Sequence, residues 1–416
     1  MKLLKHSKEF MSFFANENNF STKQTKQTNQ TKHIFKELYI HLFNSYTYLQ
    51  KQGDFFTVNV KKITNIGDIV KPKMFGDDSI PYEIRSYINK HSLTELLYQF
   101  SLYSRNVKVY FILDEHYTKS TLKKYNHYIH VIAMWIYILN QYASKKCSKT
   151  LVLYFYFTSH KKVLPQSENV VIDQIHVNTG FTTPCPVNSE IVIYRKEEWF
   201  KVFIHETFHN FALDFSDMNT SASKKCILDI FQVNSSVNLY ETYTEFWAEI
   251  INILFCSFFS IKDKTDIGEF LSNTDLCIQM ERKYSFFQLV KTLNHMKLVY
   301  TDLFSDANMN NNKSKLLYKE KTNVLAYYIL KTVLMNNYQG FLHWCKTNNS
   351  SLLHFKKTIV AQKEMCLYIY QNYKTASMLN EITYAEHFFQ RVYNHRRSKK
   401  TNEILNNLRM TICELG

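Results

Sequence analysis

The sequence predicts an α+β fold: a mixed sheet with an edge strand, a helix carrying the motif HETFH, and a mostly helical C-terminal part. Three observations predict it. Gly 7 and Pro 5 are low for 416 residues, which disfavours all-β folds and glycine-rich phosphate loops. Buried-strand patterns cluster between about 105 and 195. From Lys262 onward the pattern is mostly helical.

Taken in order, residues 1–33 read as a short helix followed by a flexible polar tract, Asn18–Lys32 (NNFSTKQTKQTNQTK). Residues 34–104 read as helical patches broken by Gly53, Gly67 and the Pro72–Pro81 stretch. Residues 105–260 form the expected catalytic core. Its strands are Val107–Leu113, Thr150–Thr158, Val170–Asn178 and Glu190–Tyr194, its long helix is Thr118–Ala143, and the HETFH helix opens at Arg195 or Lys196. Residues 261–416 form a helical C-terminal subdomain, interrupted by the polar tract Ser305–Ser314.

Lys+Arg 51 against Asp+Glu 36 give a formal net charge of +15. This favours an anionic partner, nucleic acid included, although lysines that only maintain solubility explain the same number. No recognised nucleic-acid module supports the nucleic-acid option. The eight cysteines are spread singly, at 147, 185, 226, 256, 277, 345, 366 and 413, as expected of reduced cysteines in an intracellular protein. The first twenty residues lack the uninterrupted apolar stretch of a signal peptide. The longest apolar run, Phe246–Ile261, is too short and too polar to span a bilayer.

The strongest chemical signal is HETFH at 205–209. His205 and His209 at i and i+4 share a helix face, so both imidazoles can reach one ion at about 2.0–2.1 Å. Glu206 is turned toward water instead of the ion and suits a general base. A chance occurrence in such a chain has a probability of roughly 0.03, so the context matters. Phe200, Ile204, Phe208, Phe211 and Phe215 form an apolar stripe beside the histidines, as a genuine core-facing helix requires. Downstream, Leu239–Asn252 (LYETYTEFWAEIIN) places Glu241, Glu245, Ala248 and Asn252 on one face and Leu239, Tyr243, Phe246 and Ile250 on the other. An ordinary amphipathic helix with exposed acids would look the same.

A histidine pair with a glutamate between, followed by a helix reading Glu-x-x-x-(Glu/Asp)-x-x-Ala, resembles the gluzincin metallopeptidases. The resemblance covers roughly 107–260. It implies a zincin-like fold, Zn2+ as cofactor, Glu241 as third ligand, Glu245 as the acid supporting a ligand histidine, and hydrolysis of a peptide or protein substrate. The 31 residues between His209 and Glu241 exceed the compact gluzincin spacing and leave Glu245 open as the ligand. The resemblance also implies an edge strand above the metal, placed at Ile175–Phe181 with His176, Val177, Asn178, Thr179 and Gly180 as substrate-pairing residues. It implies an oxyanion donor too, for which Tyr327 and Tyr328 are candidates; with 29 tyrosines in the chain, a core role for either weighs more. Cys185 is a remote candidate for a latency thiol on the metal. The AT-biased composition looks like that of large DNA viruses or protists. Two alternatives stand beside the peptidase: a catalytically silent, particle-associated scaffold, and a basic peptidase acting on nucleic-acid-bound proteins.

Overall fold

Six strands form one mixed sheet in this computed structural model, which describes residues 2–15, 26–304, 313–395 and 398–416. They are β1 (Thr57–Lys62), β2 (Thr94–Leu102), β3 (Arg105–Leu113), β4 (Thr150–Tyr156), β5 (Gly180–Thr182) and β6 (Asn188–Ile193), in the spatial order β1-β2-β3-β4-β6-β5. β3, β4 and β6 run parallel, and antiparallel partners flank them on both sides. Alternation explains the pairing of β2 with β3. Leu96, Tyr98, Phe100 and Leu102 are buried, and so are Val107, Val109 and Phe111, while Gln99, Ser101, Asn106 and Lys108 are exposed.

The first nine helices are α1 (Lys5–Ala15), α2 (Asn29–Gln52), α3 (Tyr82–His91), α4 (Lys119–Leu139), α5 (Gln174–Val177), α6 (Trp199–Asn210), α7 (Ser221–Ile230), α8 (Leu239–Ser260) and α9 (Ile267–His295). α4, α6, α8 and α9 share the main core with one face of the sheet. The other face carries Ile112, Tyr154, Tyr156, Val192 and Tyr194, and is covered by Ile63, Ile69, Ile84 and Ile88. The segment between β1 and β2 therefore caps the sheet. Tyr156 donates to the Val70 carbonyl, and Glu190 accepts from the backbone N–H groups of Lys73 and Met74.

Several sequence expectations need correction. Residues 34–104 are not helical throughout: they supply β1 and β2, which extend the sheet from β3. Val170–Asn178 is not a strand. Asp173 caps a helical turn there, its carboxylate accepting from the Gln174 N–H while its own N–H donates to His176 Nδ1, so the apolar run is diverted into α5. The HETFH helix opens at Trp199, not at Arg195 or Lys196. Before it, Arg195 is buried and donates to the carbonyls of Lys161, Ile175 and Asn178, which braces the loops around the site. Of the polar tract Asn18–Lys32, residues 29–32 begin α2, capped by the Thr28 side chain. Residues 18–25 and 305–312 lie outside those described.

The C-terminal stretch from Asn407 to Leu415 is buried in the core. Glu198 accepts from the N–H groups of Met410 and Thr411, and Glu281 from those of Ile412 and Cys413. No described helix is long and apolar enough to cross a membrane.

Candidate metal centre

Every residue of α6 is buried. The stripe of Phe200, Ile204, Phe208, Phe211 and Phe215 is at most 1% exposed. Trp135 of α4 donates to Thr207 Oγ1 at 2.7 Å, pinning the helix from the sheet side. α8 packs against α6 and turns its acidic face inward: Glu241 is 9% exposed and Glu245 1%, which rules out a helix with solvated acids. With its apolar surface consumed on one side, α6 presents His205 and Glu206 toward a cavity, with His209 one turn further along the helix.

Three donor atoms converge there. His205 Nε2 lies 3.1 Å from His209 Nε2 and 3.1 Å from Glu241 Oε2, and His209 Nε2 lies 3.5 Å from the same oxygen. Ligands at 2.0–2.1 Å around a tetrahedral ion sit about 3.3 Å apart, so the triangle has the size of one coordination face. The second nitrogens decide the tautomers. His205 Nδ1 faces Glu245 Oε2 at 3.0 Å, and His209 Nδ1 faces Asp214 Oδ2 at 2.5 Å. With each Nδ1–H donating to a carboxylate, both Nε2 lone pairs point at the Glu241 oxygen. Two imidazole nitrogens and one carboxylate oxygen arranged in this way could hold a cation between them. The donor set fits Zn2+.

The electrostatics agree. Burial lowers the His209 imidazole, but Asp214 and Glu241 outweigh it and hold it well above its ordinary value. Burial likewise opposes the charge on His205, and hydrogen bonds to Glu241 and Glu245 raise it nonetheless. Glu241 is held far below the carboxylate range against its burial, chiefly by His209 and His205. Glu206 goes the other way: burial pushes it up, with the two histidines as partial counterweights.

Sequence reasoning missed Asp214. It is fully buried, five residues beyond His209, past the helix end where Ala212 takes a left-handed turn at φ 54°. Its carboxylate also accepts from Thr244 Oγ1 and from the Ser216 hydroxyl, so it is fixed from both sides. Asp214→Ala is expected to weaken zinc binding about 10–100-fold, because His209 loses the partner that sets its tautomer. A chelator-competition titration measures this, and wild-type affinity in the variant would remove Asp214 from the metal's support.

The remaining candidates divide. Tyr327, on a π-helical turn (Leu325–Leu330), donates to Glu241 Oε2 at 3.0 Å and borders the centre. Tyr328 does not: its hydroxyl donates to the Leu408 carbonyl at 2.6 Å, not to the His205–His209–Glu241 group. The edge strand is β5, which begins at Gly180, so His176 and Val177 belong to α5 while Asn178 and Thr179 lead into the strand. A Cβ on Gly180 would lie 2.8 Å from the Val192 carbonyl and 3.2 Å from Val202 of α6, so only glycine lets β5 approach the metal helix this closely.

Cys185 is not a thiol that could reach the metal. It is bonded to Cys147, which corrects the expectation that all eight cysteines are reduced and removes the cysteine argument for a reducing compartment. The bridge joins the loops before β4 and β6 at the end of α6, where the Cys185 N–H donates to the Asn210 carbonyl. The Asn210 side chain in turn donates to Thr182 Oγ1 and ties α6 to the edge strand.

No family model matches the chain, and no curated protein and no solved structure matches it.

Proposed function

We propose that the chain is a zinc-dependent peptidase of the gluzincin type, built on a zincin-like arrangement of edge strand and metal helix. The observation that carries this is the convergence of His205 Nε2, His209 Nε2 and Glu241 Oε2, with Glu206 lining the adjoining cavity. A structural zinc site is closed by four protein ligands, whereas three beside a cavity leave a position for water or substrate.

His205, His209 and Glu241 would hold the ion. An ion held there would supply Lewis acidity and make water a nucleophile near neutral pH. Glu206 takes a proton from water on its carboxylate and delivers it to the leaving amine nitrogen. Its burial suits both halves of that task, because a raised pKa makes the carboxylate a better base and the carboxylic acid still able to donate.

β5 orients the substrate. The Thr179 carbonyl accepts from the Tyr194 N–H, and Gly180 pairs with Ile193. Antiparallel alternation then turns the N–H and C=O of Gly180 and Thr182 outward, where an extended peptide can add as a further strand. Thr322 Oγ1 donates to Asn178 Oδ1 at 2.8 Å and couples the strand's entry to the segment bearing Tyr327.

Tyr327 is the oxyanion donor in this reading. Burial and the nearby Glu241 and Glu206 carboxylates hold its phenol protonated. Tyr327→Phe is expected to lower kcat about 100-fold at saturating zinc with little change in KM. Full recovery of kcat with excess zinc would reduce Tyr327 to a support for Glu241.

The deciding experiment is elemental analysis of purified protein together with digestion of broad peptide libraries. About one zinc per chain and peptide cleavage are expected. A zinc-loaded protein inert toward every peptide would favour the scaffold reading.

A further inference from the structure

The cavity beside His205 is small and open to solvent, with room of about 40 Å3, and its lining mixes charged, polar and apolar groups. Gly180, Val202 and Met410 line it beside Thr179, the lysines Lys162 and Lys201, and the carboxylates of Glu206 and Glu245. Both lysines are almost wholly buried. They are not equivalent. The Lys201 ammonium is committed to Glu245 and to Met410 Sδ. Among the described residues, Lys162 Nζ has one ionic partner, Glu198 at 2.8 Å. Glu198 also serves the N–H groups of Met410 and Thr411 and lies in the field of Arg409, so its charge is shared. Burial outweighs Glu198 and Glu245 and lowers the Lys162 ammonium; with Glu198 on one side, its Nζ can donate further toward the cavity. The Thr179 hydroxyl, 3% exposed, is also without a hydrogen-bond partner. A buried cation with donors to spare beside an unpaired hydroxyl is costly unless an acceptor occupies the cavity.

Resting on the peptidase reading above, we propose that this cavity takes an acidic side chain, Glu or Asp, from the substrate residue that follows the cut bond. Glu206, which protonates the leaving nitrogen, lines the same cavity, so the residue bearing that nitrogen is the one whose side chain enters. The carboxylate accepts from Lys162 Nζ and Thr179 Oγ1, giving the spare donors of both an acceptor. The net charge of +15 steers acidic chains toward the site.

The test uses the full zinc-loaded chain and fluorescein-labelled peptides Ala-Ala-Phe-X-Ala-Ala, with X as Glu, Gln, Leu or Lys. Binding is measured by anisotropy on Glu206→Gln and cleavage on wild type. The Glu peptide should bind at least about tenfold more tightly than its Gln isostere, because only the carboxylate matches the ammonium. The Glu-over-Gln ratio should fall to about one when Lys162→Met is combined with Glu198→Gln, a pair that leaves no buried charge unpaired. Thr179→Val, which keeps the lysine, should reduce the ratio in part. Equal binding of the Glu and Gln peptides to the Glu206→Gln protein overturns the proposal, as does a ratio unaffected by the Lys162 variant. Cleavage by wild type without such a preference leaves the peptidase reading standing, whereas selective binding without any cleavage removes that reading and keeps the acidic cavity.

Discussion

Glu206→Gln is expected to fold, to hold one zinc per chain and to lose roughly a thousandfold or more in peptide hydrolysis, if it is the only general base. Folding is preserved because the change is nearly isosteric and removes a charge that burial already disfavours. Zinc should be preserved because the proposed ligand atoms are Nε2 of two histidines and an oxygen of Glu241, none of them from Glu206. Activity is lost because an amide cannot accept the proton from water or return it to nitrogen. Elemental analysis, circular dichroism and steady-state kinetics on one preparation check the three expectations together. Substantial residual activity would show that another group moves the proton. Loss of zinc instead would place Glu206 among the ligands, where an i, i+1, i+4 set on one helix replaces the convergence described here.

Much of this centre was readable in the sequence because helices write their faces at fixed intervals. His205 and His209 are four apart, as are Glu241 and Glu245, and both pairs lie on the faces their spacing dictates. Where no such period exists, the sequence was silent. Asp214 approaches His209 from a turn beyond the helix end. Cys147 and Cys185 meet across 38 residues with no motif to announce it. The adjacent Tyr327 and Tyr328 could not be separated because a π-helical turn, whose register differs from the ordinary 3.6 residues, decides which one meets Glu241. β2 was missed because TELLYQFSL satisfies a two-residue and a helical period at once. β1 has no buried face, so its alternation records no packing. The edge strand was placed a few residues too early because the apolar run before it is interrupted by the Asp173 cap.

Glu241→Ala and Glu245→Ala are expected to fail in opposite ways. Glu241 gives its Oε2 to the point where both Nε2 atoms converge, so its loss removes one of the three proposed ligands and the only anionic one. The variant should be stripped of zinc by dialysis against a mild chelator that leaves wild type loaded, as should His205→Ala and His209→Ala. Glu245 touches no converging atom. One of its oxygens fixes His205 Nδ1 and the other holds the Lys201 ammonium. Its removal should cost about 10–100-fold in zinc affinity through the misoriented imidazole. It should also cost about 3–5 kcal/mol of stability, because Lys201 is 2% exposed and would be left as an uncompensated buried charge. That loss, unlike the loss of zinc, should appear in denaturant unfolding of the metal-free protein. Adding Lys201→Met to Glu245→Ala should restore much of the stability without restoring the affinity, since it removes the orphaned charge but not the need to orient His205. If Glu245→Ala empties the centre while Glu241→Ala retains wild-type affinity, the ligand lies one helical turn further along α8, and Glu241 becomes the supporting acid.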